Sequence, residues 1–159
     1  MTVRTLLASL SDMVDFISRI ILVLAVTTFV LVIFIAVLGR YVFHVSIYAS
    51  SEIARIAFIW SCFLGASVAT KRKAHILLTF LVERMSERTR KVIGNIMVIL
   101  SILFCIAVGT SGIGLANASF DSYLPIMGIS EFWLFLAFPV SFYFMSLHLV
   151  AQLFSRESN

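Results

Sequence analysis

Arg40, Glu52, Arg55, Glu131 and His148 are the ionisable side chains that border the long uncharged runs of this chain, and their chemistry admits ion pairing, tethering of one helix to another, or proton exchange. Glu52 and Arg55 stand three apart, a spacing that puts two side chains on one helical face and lets them pair. Arg40 arrives at the same depth from the preceding run. Two readings of this group stay open: charges that delimit the spans, or a functional group that tethers helices one and two or meets another subunit. A protein that moves ions or polar solutes by itself places ionisable or discontinuous elements near the bilayer midplane. None of these side chains stands midway along a run, and His148 lies roughly two turns before the end of the last one. No phosphate-binding GxxxxGK[ST] loop, nucleophile motif or inverted repeat is recognisable, so neither an enzyme nor a cofactor site is expected. Cys62 and Cys105 both fall inside apolar runs without a CxxC or a Cys/His cluster, which reads as packing rather than metal or redox chemistry.

The elements that position these residues follow from composition. Of 159 residues, 61% are hydrophobic and 13% charged, far from a soluble globular balance. A transmembrane helix needs about 20 mostly apolar residues to cross a hydrocarbon layer of about 30 Å. Uncharged runs extend from Ile20 to Leu38, Ile56 to Thr70, Val92 to Phe120 and Phe132 to Ser155. The second is short and must recruit the turn holding Glu52 and Arg55, with Arg55 snorkelling outward. Lipid offers backbone groups no partners, so these runs must be helices. The expected fold is an all-α integral membrane protein: a single domain over 1–159, with spans at about 20–39, 53–70, 92–119 and 132–154 and a connection over 71–91. The first run is longer than a signal-peptide core of about 7 to 15 residues and follows Asp12 and Asp15, so it is read as a retained helix.

Charge orients the spans. The connection between spans two and three carries Lys71, Arg72, Lys73, Arg84, Arg88, Arg90 and Lys91, whereas the next connection carries Asp121 and Glu131 and no basic residue. The basic side is expected in the cytoplasm together with both termini. The net charge of +4 then reflects contact with anionic phospholipid headgroups, with no call for nucleic acid. Lys71, Arg72 and Lys73 are the expected inner lipid or loop contacts; His75 beside them reads as a hydrogen-bonding helix end or as a proton switch. Leu6, Leu10, Val14 and Ile17 recur at helical spacing ahead of the first span, predicting an amphipathic segment in the interface, and Ile76 to Val82 predicts a second. Small residues line one face of span two (Ala57, Ser61, Gly65, Ala69) and of span three (Cys105, Gly109, Gly112, Ala116, Ser119). Such faces let helices approach closely, so spans two and three are expected to pack against each other or against a second protein. Tyr41, Phe43, Tyr48, Tyr123 and Trp133 suit an aromatic belt, and Pro139 should bend span four.

Gly39-Arg40-Tyr41-Val42-Phe43, then Glu52, Phe58, Trp60, Gly65-Ala66 and Ala69, and a basic pair before His75-Ile76, together resemble the small, DctQ-like membrane subunit of tripartite ATP-independent periplasmic (TRAP) transporters. The motifs span roughly residues 36 to 93, and the four-span plan extends the resemblance to the whole chain. Two departures stand out: Tyr48-Ala49-Ser50-Ser51-Glu52 replaces an aromatic followed by two adjacent acids, and Lys73 replaces a glycine. The resemblance implies a bacterial inner-membrane subunit paired with a large membrane subunit that carries the substrate and sodium sites. A periplasmic solute-binding protein would deliver an organic acid, of the dicarboxylate or sialic acid class, and the small subunit would serve as an immobile scaffold. An autonomous four-helix carrier or exchanger working as a homo-oligomer, and a membrane scaffold with no role in transport, are the competing readings.

Overall fold

The computed structural model describes the backbone of residues 3–82 and 87–156, with side chains over 5–72, 89 and 92–153. Its helices are α1 (Val3–Tyr41), α2 (Ala49–Val82), α3 (Glu87–Ala118), the short α4 (Phe132–Phe135) and α5 (Ala137–Arg156). Four segments are long and apolar enough to cross a membrane: Thr5–Tyr41, Ala49–Arg72, Val92–Ala118 and Phe132–Leu153, the last formed by α4 and α5 together. At 39 and 34 residues, α1 and α2 run about 58 and 51 Å at 1.5 Å per residue, well past a hydrocarbon layer of about 30 Å. Both amphipathic segments are therefore continuations of the spans. No proline and no mid-helix glycine interrupts residues 3–38, and Gly65 is the one glycine in α2, so nothing in either stretch ends the hydrogen-bond ladder.

Packing runs in the order α1, α2, α5, α3, with α1 also touching α5. The expectation that spans two and three pack on each other is corrected by this arrangement: α3 rests on α5 and α4, and α2 and α3 share no packed face among the described residues. Gly65 looks toward α1, where an added Cβ would meet Leu22 at an ordinary 3.8 Å, while Gly109 and Gly112 look toward α5. Val98 and Cys105 of α3 form a core with Leu149 of α5, joined by Ile102, Phe142, Met145 and Leu153. An aromatic series ties the layers, from Phe63 on α2 edge-on to Phe138 at 5.1 Å, then Phe142 at 4.8 Å, then Phe104 of α3 at 6.4 Å from Phe142.

Pro139 acts as its chemistry requires. It has no N–H for the carbonyl of Phe135, which is the last residue of α4, and the helix is interrupted at Leu136 although that residue keeps helical dihedrals of −62° and −27°. A Cβ on Gly112 would fall 2.5 Å from Phe138 and 3.2 Å from Pro139, whereas one on Gly114 would meet nothing within 4 Å. Gly112→Ala is thus expected to push α3 off α5 at a cost of about 1–3 kcal/mol, and Gly114→Ala to stabilise by up to about 1 kcal/mol through helix propensity. Opposite shifts of the melting temperature for the two variants in detergent would be the result; equal shifts would contradict the α3–α5 packing.

Candidate functional site

Two polar clusters, one at each end of the bundle, hold elements that are distant in sequence. At the end where α1 leads into α2, the carboxylate of Glu52 is buried and accepts the backbone N–H groups of Ile126 and Met127 at 2.9 and 2.8 Å. Those amides sit at the tip of a small hairpin in the α3–α4 connection, closed by Leu124 N–H to Ile129 O at 2.9 Å and Gly128 N–H to Leu124 O at 2.9 Å. Gly128 takes a φ of +64°, which explains glycine there. Leu124 is buried beneath the hairpin, and Glu131 N–H closes its base on Ser122 O at 2.7 Å. A neighbouring contact adds to the clamp: the Trp60 indole N–H donates to the Trp133 carbonyl at 3.1 Å.

This geometry differs from the spacing-based expectation. Glu52 turns inward to the hairpin, and Arg55 lies 3.7 Å from Glu131 instead, with its own side chain half exposed. Exposed pairs of this kind contribute about 0–1 kcal/mol, so Arg55 is secondary to Glu52. Arg40 is exposed and has no ion-pair partner among the described residues; it lines a cavity of about 320 Å³ with Ser46, Ser50 and Ser51 at its polar rim. Gly39 lets the α1–α2 loop fold back, since a Cβ there would stand 3.1 Å from the carbonyl of Val45, whose N–H bonds to Gly39 O at 2.8 Å.

At the opposite end, where α1 begins and α5 finishes, lies a cluster that the hydropathy pattern does not announce. Ser11, Asp15 and Ser18 of α1, Ser67 of α2, and Ser141 and His148 of α5 are all buried. Ser11 Oγ and His148 Nδ1 share a hydrogen bond of 2.8 Å across 137 residues of sequence. The Lys71 ammonium donates to Ser11 O at 3.0 Å and Asp12 Oδ1 at 2.7 Å, and lies 3.7 Å from Asp15 Oδ2. Arg19, one turn on, pairs with Asp15. Gln152 of α5 completes the junction by donating to the Lys71 carbonyl at 3.3 Å. Two carboxylates thus face two cations, and the arrangement fastens α1, α2 and α5 to one another.

The face that α1 buries here is its polar one. Leu6, Leu10 and Ile17 are exposed, while Ser11, Asp15 and Ser18 at steps of four and three point into the bundle. That periodicity is present in the sequence and would have revealed the cluster had it been sought in the polar residues rather than the apolar ones. In lipid the inversion is physically sensible, because the apolar face loses nothing by meeting acyl chains and the polar face needs partners. Among the residues expected on sequence grounds, Ala57 is buried and Ser61 and Ala69 are partly buried, with Ser61 Oγ bonding back to Phe58 O at 2.7 Å. Arg72 is exposed, and the side chains of Lys73 and His75 lie outside the described residues.

Four long apolar helices, with Glu52 and Lys71 fastening elements distant in sequence at opposite ends, define a small multi-pass helical membrane protein. Residues 29–158 match the family described as the DctQ component of tripartite ATP-independent periplasmic transporters, and the chain belongs to that family. It is similar to the sialic acid TRAP transporter permease protein SiaT of Haemophilus influenzae (strain 86-028NP), with 38% identity over 108 residues, 65% of this chain but 17% of SiaT. A putative TRAP transporter small permease protein of Haemophilus influenzae (strain Rd) is 30% identical over 122 residues, which is 75% of this chain and 72% of that protein. The sialic acid TRAP transporter small permease protein SiaQ of Vibrio cholerae (strain N16961) is 27% identical over 109 residues, 67% and 61% of the two chains. The match to SiaT, where this chain spans about a sixth of the length, means that a domain of this kind also occurs joined to a much larger permease.

Proposed function

We propose that the chain is the small, non-catalytic scaffold subunit of a sodium-coupled TRAP transporter of the bacterial inner membrane, importing an organic acid. The observation that carries this reading is the family match over 29–158, reinforced by the similarity to one stretch of the larger SiaT permease. A large membrane subunit supplies the substrate and sodium sites, and a periplasmic protein delivers the solute. Between the solute classes, the names of SiaT and SiaQ favour a sialic acid over a dicarboxylate. Both termini lie in the cytoplasm, following the basic connection between α2 and α3.

The mechanical role follows from the clamps. An elevator-type subunit works against something that does not tilt; α1, α2 and α5 are joined at one end around Lys71, and at the other Glu52 ties α2 to the α3–α4 hairpin. Asp15, the buried acid within the first span, is held by Lys71 and Arg19, which argues against an autonomous carrier that needs an open carboxylate. The chain is expected to co-purify with a large multi-span protein and to give no solute uptake when reconstituted alone. Uptake by the isolated chain would refute the scaffold reading, and deletion with undiminished uptake in cells would favour a membrane scaffold unrelated to transport.

A further inference from the structure

Asp15 Oδ1, Ser18 Oγ, Ser67 Oγ, Ser141 Oγ and His148 Nε2 are enclosed between helices without a hydrogen-bond partner among protein atoms. The antiparallel register of α1 and α5 places these groups in layers. Ser11 meets His148, so Ser18, seven residues onward, and Ser141, seven residues back, fall at one depth about 10 Å further into the bundle. Ser67 is one turn inward of Lys71, which itself touches Ser11 and Asp12, so α2 contributes its hydroxyl beside the same column. Each of the three helices thus brings a buried serine hydroxyl to this junction.

We propose that α1, α2 and α5 enclose an ordered water cluster, bound by Asp15, Ser18, Ser67, Ser141 and His148. Buried polar groups that lack protein partners are commonly satisfied by internal water, which needs two to four of them, and hydroxyl, carboxylate and imidazole groups together offer both donors and acceptors. Charge decides against a metal cation: Asp12 and Asp15 are already matched by Lys71 and Arg19, so a further cation would have no counter-charge. A partner subunit is no better an occupant, since Ser18, Ser67, Ser141 and His148 are wholly covered by this chain's own helices. Lys71, which is partly exposed, and Asp12, which is 75% exposed, stand at the outer edge of the cluster.

Water-edited solid-state NMR of the full chain in bilayers, together with its co-purifying partners, tests this directly. Magnetisation from water should reach the His148 ring at a rate close to that of exposed His44, and far above that of the α3–α5 core around Cys105. A His148 ring as slow as that core would overturn the proposal. So would His148 and serine resonances that shift with sodium or potassium concentration, since a cation would then hold the site. The sign of a substitution supplies an independent readout. If water is bound, Ser18→Ala, Ser67→Ala and Ser141→Ala each lower the apparent melting temperature, by about 2–4 °C. If the junction is dry, each removes an unsatisfied hydroxyl and raises it, which would count against bound water.

Discussion

Lys71→Met is expected to destabilise the subunit by about 3 kcal/mol, the lower end of the range for breaking a buried ion pair by removing one partner. Methionine preserves the length and apolar stem of lysine but leaves Asp15, whose side chain is 5% exposed, with Arg19 as its remaining cation, and removes the side-chain donor to the Ser11 carbonyl. The loss falls on the α1–α2 junction and reaches α5 through Ser11, which engages His148, whereas the bond from Gln152 to the residue 71 carbonyl is unchanged. A double-mutant cycle separates the pair from general damage. Asp15→Asn removes the buried charge, so the Lys71→Met, Asp15→Asn double variant should recover part of the loss, with a coupling above about 1 kcal/mol. Asp12→Asn, at an exposed position, should cost well under about 1 kcal/mol. Thermal melts in one detergent measure all four variants. A melt of Lys71→Met that superimposes on the parent would mean that the cluster does not fasten the helices.

Glu52→Ala is expected to cost about 3 kcal/mol and to free the α3–α4 hairpin. Hydrogen bonds to a charged group contribute about 1.5–3 kcal/mol each, and here a single carboxylate accepts two backbone amides that would lose their partner together. The consequence is local as well as global, because the hairpin is short and, among the described residues, Glu52 is the side chain that bonds the amides at its tip. Limited proteolysis from that side should therefore cut between Pro125 and Gly128 in the variant and not in the parent. Glu52→Gln should fall in between, since its amide retains one acceptor oxygen but presents an NH₂ group to the second backbone N–H. Arg55→Gln, which loses a half-exposed pair at 3.7 Å, should leave the hairpin protected. If this end also meets the rest of a transporter, Glu52→Lys lowers solute uptake in cells more than its loss of thermal stability explains. Unaltered uptake would confine Glu52 to holding the hairpin.

The two clamps show where sequence reasoning reaches its limit in a membrane protein. Asp15 and Lys71 are visible as charges at span edges, yet their meeting depends on the angle and register at which α1 crosses α2. Glu52 and Arg55 are correctly placed on one helix, but the i, i+3 rule is a statement about an isolated helix. A hairpin 74 residues away offers Glu52 two backbone donors, and Glu131 takes Arg55 instead.

What the sequence by itself determined is the set of properties that depend on one dimension: that the chain folds as long helices, that four segments are apolar enough to cross a bilayer, and that it resembles one transporter family. These follow from the length of apolar runs and from local motifs, which the solvent reads in the same way whatever the spans do next. Which helix faces meet was decided by tertiary structure alone. Lipid and protein interior are equally apolar, so hydropathy assigns no difference between the face of α1 that stays in lipid and the face that joins the bundle. The choice fell to close fit and to polar pairing: Gly109 and Gly112 against α5, Gly65 toward α1, and the Ser11, Asp15 and Ser18 face turned inward to Lys71 and His148. These contacts act over a few ångströms between residues distant in sequence, and only the folded arrangement brings them within that range.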